Sequence, residues 1–406
     1  MATDGITPRE FASRRRAALK AAAERGLKGL LVWSRGGNSV EAYGHVYYFT
    51  NFHSLFPIVA GDGPWVSRGH AALILPVDGD PILVTDYLDD PENRIAVKDV
   101  RVSLDVAEAA VEAMRERGLL KAKVGLAGRD SLLHSAYERM EKVAGRKLDF
   151  RPADDIVDQL RWVKSEAELA LMRNAAAVGV KWMKASMNAI AEGRTEAEVV
   201  GEGMRVLCAN GGVQQDVAIS SGPNAGNYFG SSGVPHWNSK RKLKKGDLVH
   251  CDQWGPVDGY YTDFARSTVV GGKPTAGQRE LLEGSAGVVH HIIAGAKPGM
   301  TFGDLWLLGA KWLADNDLPS PLGKPEQGGN AFSLQFPCYG HSIGLGIDGP
   351  WLVKAAKEPL KENMVLGIEA LVGRAKVGAA NFEQDVIIKK QGNEILTAPC
   401  PTKWWD

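Results

Sequence analysis

Two aspartates in the second half of the chain have the spacing of a metal-binding hairpin. Asp252 ends the apolar segment 248–252, and Asp263 precedes the apolar segment 264–270. The residues between them include the turn formers Gly255, Pro256, Asp258 and Gly259. The pattern predicts a carboxylate on each arm of the hairpin, facing the other across the ladder. If both are buried they repel each other, so the pair needs a cation or a shared proton. The alternative is two solvated carboxylates at strand ends.

Three more side chains that could bind metal follow along the chain. His341 lies among glycines, which allow the backbone to turn and pack closely around it. Its ring is either a metal ligand or a core histidine that bonds a backbone carbonyl. Glu369 closes the apolar run 364–368, and Glu383 precedes another apolar run, 386–388. Charged residues seldom stand alone inside such strands, so each glutamate is either a ligand or a residue on the solvent face.

The order of these five residues is more specific than any one of them. This order resembles that of the pita-bread metalloenzymes: an Asp–Asp hairpin, then a Gly-His, then a Glu that closes one strand, and then a Glu that opens another. That family includes methionine aminopeptidase, aminopeptidase P, prolidase and creatinase. Other segments that resemble it are the inter-domain helix start at 155–173, the loop 221–225, Pro235-His236, and Lys245-Gly246-Asp247 before the first metal strand.

The resemblance implies an α+β fold in which a pita-bread C-terminal domain follows a smaller α/β creatinase-like N-terminal domain. We expect the domains at residues 1–153 and 154–406. The two-domain branch of the family also implies a homodimer, in which the region 47–65 of one subunit walls the pocket of the other.

The resemblance also implies a role for each site residue. Asp252 is expected to bind one metal ion, His341 and Glu369 the other, and Asp263 and Glu383 to bridge the two. Glu369 is the expected proton acceptor for the attacking water. His236 is the expected hydrogen-bond donor or proton shuttle on the substrate side, and its alternative is a surface histidine. Carboxylate-rich ligation suits two divalent ions of Mn, Fe, Co or Zn.

The expected substrate-handling residues depart from the peptidase pattern. Asp348 occupies the position of a second histidine, Asn381 that of an arginine, and Ala370 that of a proline. An acid at position 348 favours a cationic or hydrogen-bond-donating substrate group, although Asp348 could instead cap the turn before Gly349 and Pro350. Tryptophans near the motifs could hold a cation or serve only in packing; they are Trp65, Trp237, Trp254 and Trp351.

Three functions follow from the resemblance and its departures. The first is metal-dependent hydrolysis of an amide or related C–N bond in a small substrate or dipeptide, as in Xaa-Pro peptidases. The second is a metal-assisted lyase acting on a small cation, similar to dimethylsulfoniopropionate lyase. The third is a non-catalytic binding scaffold, against which the complete set of ligands argues.

Composition excludes several partner classes. Lys plus Arg and Asp plus Glu both number 48, so the formal net charge of zero gives no general attraction to nucleic acid or anionic lipid. No apolar run approaches the roughly 20 residues that span a bilayer. The four cysteines form no CxxC pair, and reduced thiols in a cytoplasm fit them best.

Periodicity and turn residues predict the elements that carry the site. The first domain alternates helices and strands and contains a hairpin around residues 77–80. Ser165 and Glu168 form a capping box that starts a long helix, and 196–210 forms a second helix. Strands are expected at 217–220, 248–253, 264–270, 364–369 and 382–389, with helices at 276–294 and 302–316 between them.

Overall fold

The computed structural model describes residues 5–36, 44–53, 69–88, 94–227, 230–231, 233, 235–318 and 338–405. By internal contacts the chain divides into two compact units, Met1–Trp162 and Val163–Asp406. This division falls later than the boundary expected after residue 153, because the helix Asp154–Trp162 packs against elements of the first unit. Arg25, for example, donates two hydrogen bonds to Asp155 of that helix, at 2.9 and 2.6 Å.

The first unit alternates helices and strands, as the sequence pattern predicts. Its helices are α1 (Pro8–Glu24), α2 (Gly44–Thr50), α3 (Val106–Glu116), α4 (His134–Ala144) and α5 (Asp154–Trp162). Its strands are β1 (Gly29–Arg35), β2 (His70–Pro76), β3 (Ile82–Thr85), β4 (Asp99–Val102), β5 (Val124–Ala127) and β6 (Phe150–Pro152). These strands form one mixed sheet in the order β4-β3-β2-β1-β5-β6.

The apolar character of β1 and β2 follows from their central position in that sheet. β1 lies antiparallel to β2 and parallel to β5, and nearly every residue of the two strands is buried. A strand buried on both faces reads as a continuous apolar run rather than an alternating one. The hairpin predicted around residues 77–80 is confirmed, with β2 antiparallel to β3.

The second unit carries all five candidate metal ligands. Its helices are α6 (Glu166–Ala189), α7 (Glu196–Ala209), α8 (Ala276–Gly295) and α9 (Phe302–Asp315). Its strands are β7 (Asp216–Ser221), β8 (Leu248–Val257), β9 (Tyr260–Val269), β10 (Gly340–Ile343), β11 (Ile347–Trp351), β12 (Val365–Arg374), β13 (Gly378–Ile387) and β14 (Glu394–Ile395). All four helices begin with a capping box, and the one predicted at Ser165 and Glu168 is confirmed.

Two antiparallel sheets form the core of the second unit. One has the strand order β7-β8-β9 and the other β11-β10-β12-β13-β14. The sheets meet where β9 lies along β13, and α6 and α8 pack against the sheets. At this junction the Ser267 hydroxyl donates to the Asn381 carbonyl and accepts from the Asn381 amide, at 2.7 and 2.8 Å. Side chains from two distant parts of the sequence can therefore meet between β9 and β13.

Within the described residues, no helix is both long and apolar enough to cross a membrane.

Candidate metal centre

The hairpin β8–β9 brings Asp252 and Asp263 onto one face of its sheet. Asp252 lies opposite Ala265, and Asp263 lies opposite Trp254. Opposite residues of an antiparallel pair share a face, as do residues two apart on one strand, so the two carboxylates are diagonal neighbours. Each is 3% exposed. The predicted hairpin is confirmed, and the alternative of solvated carboxylates is wrong.

The second sheet supplies the other three residues on adjacent strands. Glu369 of β12 lies directly opposite Glu383 of β13, and His341 of β10 lies opposite Gly367 of β12. The same alternation that pairs Glu369 with Glu383 puts Gly367 on their face. A Cβ at Gly367 would stand 2.6 Å from Glu383 Oε1 and 3.4 Å from His341 Cε1. The missing side chain at Gly367 therefore leaves the space in which the carboxylate and imidazole approach each other.

The five side chains form one buried cluster between the two sheets. Their ligand atoms fall into two groups, within each of which all atoms lie within 4.8 Å of one another. One group joins Asp263, His341 and Glu383, and the other joins Asp252, Glu369 and Glu383. Glu383 belongs to both groups, which is the position of a ligand shared by two ions. All five residues are 4% exposed or less.

The electrostatics of the cluster fit divalent cations. Burial raises the pKa of Glu383 well above its ordinary value, and the nearby charges of Asp263 and Glu369 raise it further. Within the described residues, Glu383 Oε1 has no hydrogen-bond partner. Four carboxylates excluded from water in this way need a compensating positive charge. Oxygen ligands with one imidazole suit Mn²⁺, Fe²⁺, Co²⁺ or Zn²⁺.

His341 has the protonation state and the orientation of a ligand. Burial lowers the pKa of His341 to about 4, so the ring is neutral at pH 7. Its Nδ1 lies 3.2 Å from the Ser342 carbonyl, to which only a protonated nitrogen can donate. Nε2 then carries the lone pair, and it lies 3.5 Å from Asp263 Oδ2. The sequence left two alternatives open for His341, a metal ligand or a core histidine that bonds a carbonyl. In the structure the ring contacts a carbonyl through Nδ1, and this contact turns Nε2 toward the cluster.

Two residues that sequence reasoning missed support the cluster. The Asp385 carboxylate accepts from the backbone amide of Asp263, at 3.2 and 3.3 Å, and from the Thr262 hydroxyl at 2.9 Å. Burial raises the pKa of Asp385 to about 7. The available signal was its position two residues after Glu383, which puts it on the same face of the strand.

Arg266 is the second residue that was missed. Its guanidinium donates to the backbone carbonyl of Glu383 at 2.7 Å, to Gln384 Oε1 at 2.9 Å and to the Pro401 carbonyl at 2.9 Å. It also lies over the ring of Phe382, 4.4 Å from the ring centroid. Sequence offers no sign of these contacts, because they depend on which strands become neighbours.

Of the predicted substrate-side residues, Trp254 and Trp351 lie beside the cluster, and the roles of all of them remain predictions. His236 Nδ1 lies 2.6 Å from Asp216 Oδ2, and both side chains are partly exposed. Trp254 shares a face with Asp263, and the Trp351 ring lies 5.0 Å from the His341 ring. Trp237 packs against the apolar core of the second unit, the arrangement expected of a packing residue. Trp65 and much of the region 47–65 lie outside the described residues.

Asp348 lies beside a buried lysine. In the β10–β11 register Asp348 is paired with Ser342, whereas Trp351 is paired with His341. A Cβ at Gly344 would stand 3.8 Å from Asp348 Oδ2 and 3.4 Å from Lys164 Nζ. Lys164 is 3% exposed, so water screens the interaction of its charge with Asp348 only weakly. This charge opposes any attraction of Asp348 for a cationic substrate group.

Comparisons with known proteins agree with this geometry. The family model described as Metallopeptidase family M24 matches residues 170–390. The Xaa-Pro dipeptidase of Pyrococcus horikoshii is 26% identical over 337 residues, which cover 79% of this chain and 87% of that protein. The Xaa-Pro dipeptidase of Pyrococcus furiosus is 28% identical over 325 residues, which cover 79% and 86%.

Solved structures have the same fold. The prolidase from Pyrococcus horikoshii OT3 gives a TM-score of 0.75 at 21% identity, covering 95% of this chain and 98% of that one. Aminopeptidase P from E. coli gives 0.72 at 19% identity, covering 99% and 97%. The predicted pita-bread resemblance and fold class are therefore confirmed.

Proposed function

Because the chain belongs to metallopeptidase family M24, we propose that it is a dinuclear metal-dependent peptidase that hydrolyses Xaa-Pro dipeptides. The observation that carries the proposal is the buried cluster in which Glu383 belongs to two adjacent ligand groups. Both Pyrococcus relatives are named Xaa-Pro dipeptidase, which supports the substrate class. The relatives favour hydrolysis over the lyase and scaffold alternatives.

The ligand assignment is the first part of the proposal. Asp252 would bind one ion, His341 and Glu369 the other, and Glu383 would bridge the two. Membership of both ligand groups supports the bridging role of Glu383. Asp263 falls in one group, with His341 and Glu383, so its bridging role rests on the family resemblance. Glu369 falls in the group of Asp252, so its assignment to the same ion as His341 also rests on the family resemblance. The ligand chemistry is compatible with Mn, Fe, Co or Zn.

The catalytic roles are the second part. When bound, two divalent ions would act as Lewis acids on the scissile carbonyl and lower the pKa of water at the site. The carboxylate of Glu369, 2% exposed, would accept the proton of the attacking water. His236, on the substrate side, would hydrogen-bond the dipeptide, with Trp254 and Trp351 as apolar walls. Asp348 would contact a positively charged or N–H group of the substrate, in competition with the nearby Lys164.

An activity assay with matched variants tests this function. The chelated protein is reloaded with Mn²⁺, and proline release from Ala-Pro is compared with alanine release from Ala-Ala. We expect metal-dependent cleavage of Ala-Pro, lost in Glu369→Gln because glutamine cannot accept the proton. The control is Asp258→Asn. Asp258 lies on the β8–β9 turn, and its carboxylate accepts a hydrogen bond from the side-chain amide of Asn174. Absence of proline release by the metal-loaded protein, or wild-type activity in Glu369→Gln, would contradict the proposal.

The location and assembly of the protein complete the proposal. We propose a cytoplasmic homodimer with no nucleic-acid or membrane partner. All four cysteines are free thiols, Cys208, Cys251, Cys338 and Cys400, as expected in a reducing compartment. Light scattering at assay concentration tests the dimer, and a monomer mass would contradict it.

A further inference from the structure

The backbone on both sides of His236 is fixed to strand β7. The Ile219 amide donates to the His236 carbonyl at 3.2 Å, and the Ser231 amide donates to the Ile219 carbonyl at 3.0 Å. Gly230 has φ +83°, and a Cβ there would stand 2.0 Å from the His236 carbonyl oxygen. The chain thus approaches His236 as closely as only glycine allows.

A buried carboxylate holds the same loop from the other side. Glu196, at the start of α7, is 1% exposed. It accepts hydrogen bonds from the Ser221 hydroxyl at 2.5 Å, the Ser231 hydroxyl at 2.6 Å and the Asn238 amide at 2.6 Å. The position of the His236 backbone is therefore set by contacts on each side of it.

The side chain of His236 has its own anchor on β7. Its Nδ1 lies 2.6 Å from Asp216 Oδ2. A carboxylate accepts hydrogen bonds, so a hydrogen bond across this contact requires the proton on Nδ1. Any hydrogen bond between the ring and a substrate must then use Nε2.

The register connects this pair to the metal ligands. Asp216 lies opposite Trp254, and Trp254 lies opposite Asp263, so the three residues form one row on one face. Neighbouring strands are about 4.8 Å apart, so the Asp216 backbone lies about 10 Å from that of Asp263. A dipeptide is of similar length. One end can reach the cluster while the other lies near His236, with Trp254 between them.

We propose that Asp216 is a positioning residue, which fixes the Nδ1–H tautomer of His236 so that Nε2 faces the bound dipeptide. This inference rests on the proposed peptidase function. The arrangement follows the logic of a His–Asp pair, in which the carboxylate sets the tautomer and orientation of the imidazole and does not itself react.

The test combines a tautomer measurement with kinetics. Imidazole ¹⁵N shifts are recorded on the Zn²⁺-loaded protein, and the His236 signal is assigned from its loss in His236→Gln. We expect a protonated Nδ1 and an unprotonated Nε2 in the wild type, and a shift toward Nε2–H in Asp216→Ala. With Ala-Pro and Mn²⁺, Asp216→Ala should lower kcat by roughly 10- to 100-fold, part of what acid–base catalysis contributes. Asp216→Asn should recover part of both effects, because its amide oxygen can still accept from Nδ1.

The control is Asp247→Asn, in the same region of the second unit. Asp247 accepts from Arg241 at 2.6 Å and from the Lys244 amide at 2.8 Å, and the carboxylate does not contact His236. We expect it to lower the Tm with the tautomer unchanged. An unaltered tautomer in Asp216→Ala, or an equal tautomer change in Asp247→Asn, would overturn the inference. If the wild type does not cleave Ala-Pro, the proposed function fails, and the ¹⁵N measurement still tests Asp216.

Discussion

Replacing Gly367 by alanine tests whether the buried cluster is a metal site. A Cβ at Gly367 would stand 2.6 Å from Glu383 Oε1, whereas real Cβ contacts are essentially never under 3.0 Å. The Glu383 carboxylate or strand β12 must therefore move by at least about 0.4 Å, and metal sites tolerate about 0.2 Å in a ligand distance. The φ of Gly367 is not left-handed, so alanine adds no backbone strain.

We expect Gly367→Ala to weaken Mn²⁺ binding by roughly 10- to 100-fold, the usual cost of displacing a group that holds a ligand. This corresponds to about 1.4–2.8 kcal/mol, at 1.4 kcal/mol for each factor of ten. The measurement is titration calorimetry of the chelated protein with Mn²⁺, together with the metal content of the purified variant. Overpacking should also destabilise the metal-free protein by about 1–3 kcal/mol.

The matched control is Gly201→Ala, in helix α7. A Cβ at Gly201 meets nothing within 4 Å. Alanine should stabilise this helix by roughly 0.5–1 kcal/mol and leave Mn²⁺ affinity unchanged. Wild-type Mn²⁺ affinity in Gly367→Ala would refute the view that Glu383 and His341 bind metal in the space beside Gly367.

Three further predictions concern the bridging ligands, acid stability and selectivity. Asp263→Ala and Glu383→Ala should each lose both metal ions, and one ion retained at full occupancy in both variants would contradict bridging. Burial, aided by the charge of Arg35, lowers the pKa of His70 to about 4 in the folded protein. The pKa of a histidine in the unfolded chain is near 6.5, so between pH 6.5 and pH 4 the unfolded chain binds more protons than the folded protein does. Between pH 7 and pH 5 the free energy of unfolding should therefore fall by about 2 kcal/mol more in the wild type than in His70→Gln. Urea titrations at the two pH values measure this difference, and an equal decrease in both proteins would count against the prediction. Asp348→Asn should lower kcat/KM for Lys-Pro about ten- to a hundredfold more than for Leu-Pro if the acid forms a charged hydrogen bond with substrate, whereas equal losses would leave Asp348 a turn-capping residue.

The order of these residue types along the chain was enough to predict a buried cluster that could hold metal ions. Asp252 and Asp263 are recognisable because local turn residues make their hairpin, and a hairpin is a short-range structure. His341, Glu369 and Glu383 are recognisable because polar residues inside apolar strands need a partner. The capping box at Ser165 was predicted for the same reason, since it depends only on residues three apart.

The contacts that the supporting residues make could not be predicted, because they depend on long-range register. Asp385 reaches Asp263 only because β9 lies along β13, and no local pattern encodes that neighbour. Arg266 reads in sequence as an ordinary strand residue. Asp216 pairs with His236 through a loop whose path the sequence does not specify. The packing of α5 against the first unit is likewise a tertiary contact that no local pattern specifies.

The proposed ligands come from two separate sheets, so bound metal would be part of the folding equilibrium. Asp252 and Asp263 belong to one sheet, and His341, Glu369 and Glu383 belong to the other, so an unfolded chain holds no preformed site. Ions that bind only the native state lower its free energy relative to every partly opened form. Opening of β9 away from β13 would then require release of the ions. Amide hydrogen exchange in these two strands should slow on metal loading, while exchange in the sheet of the first unit stays the same.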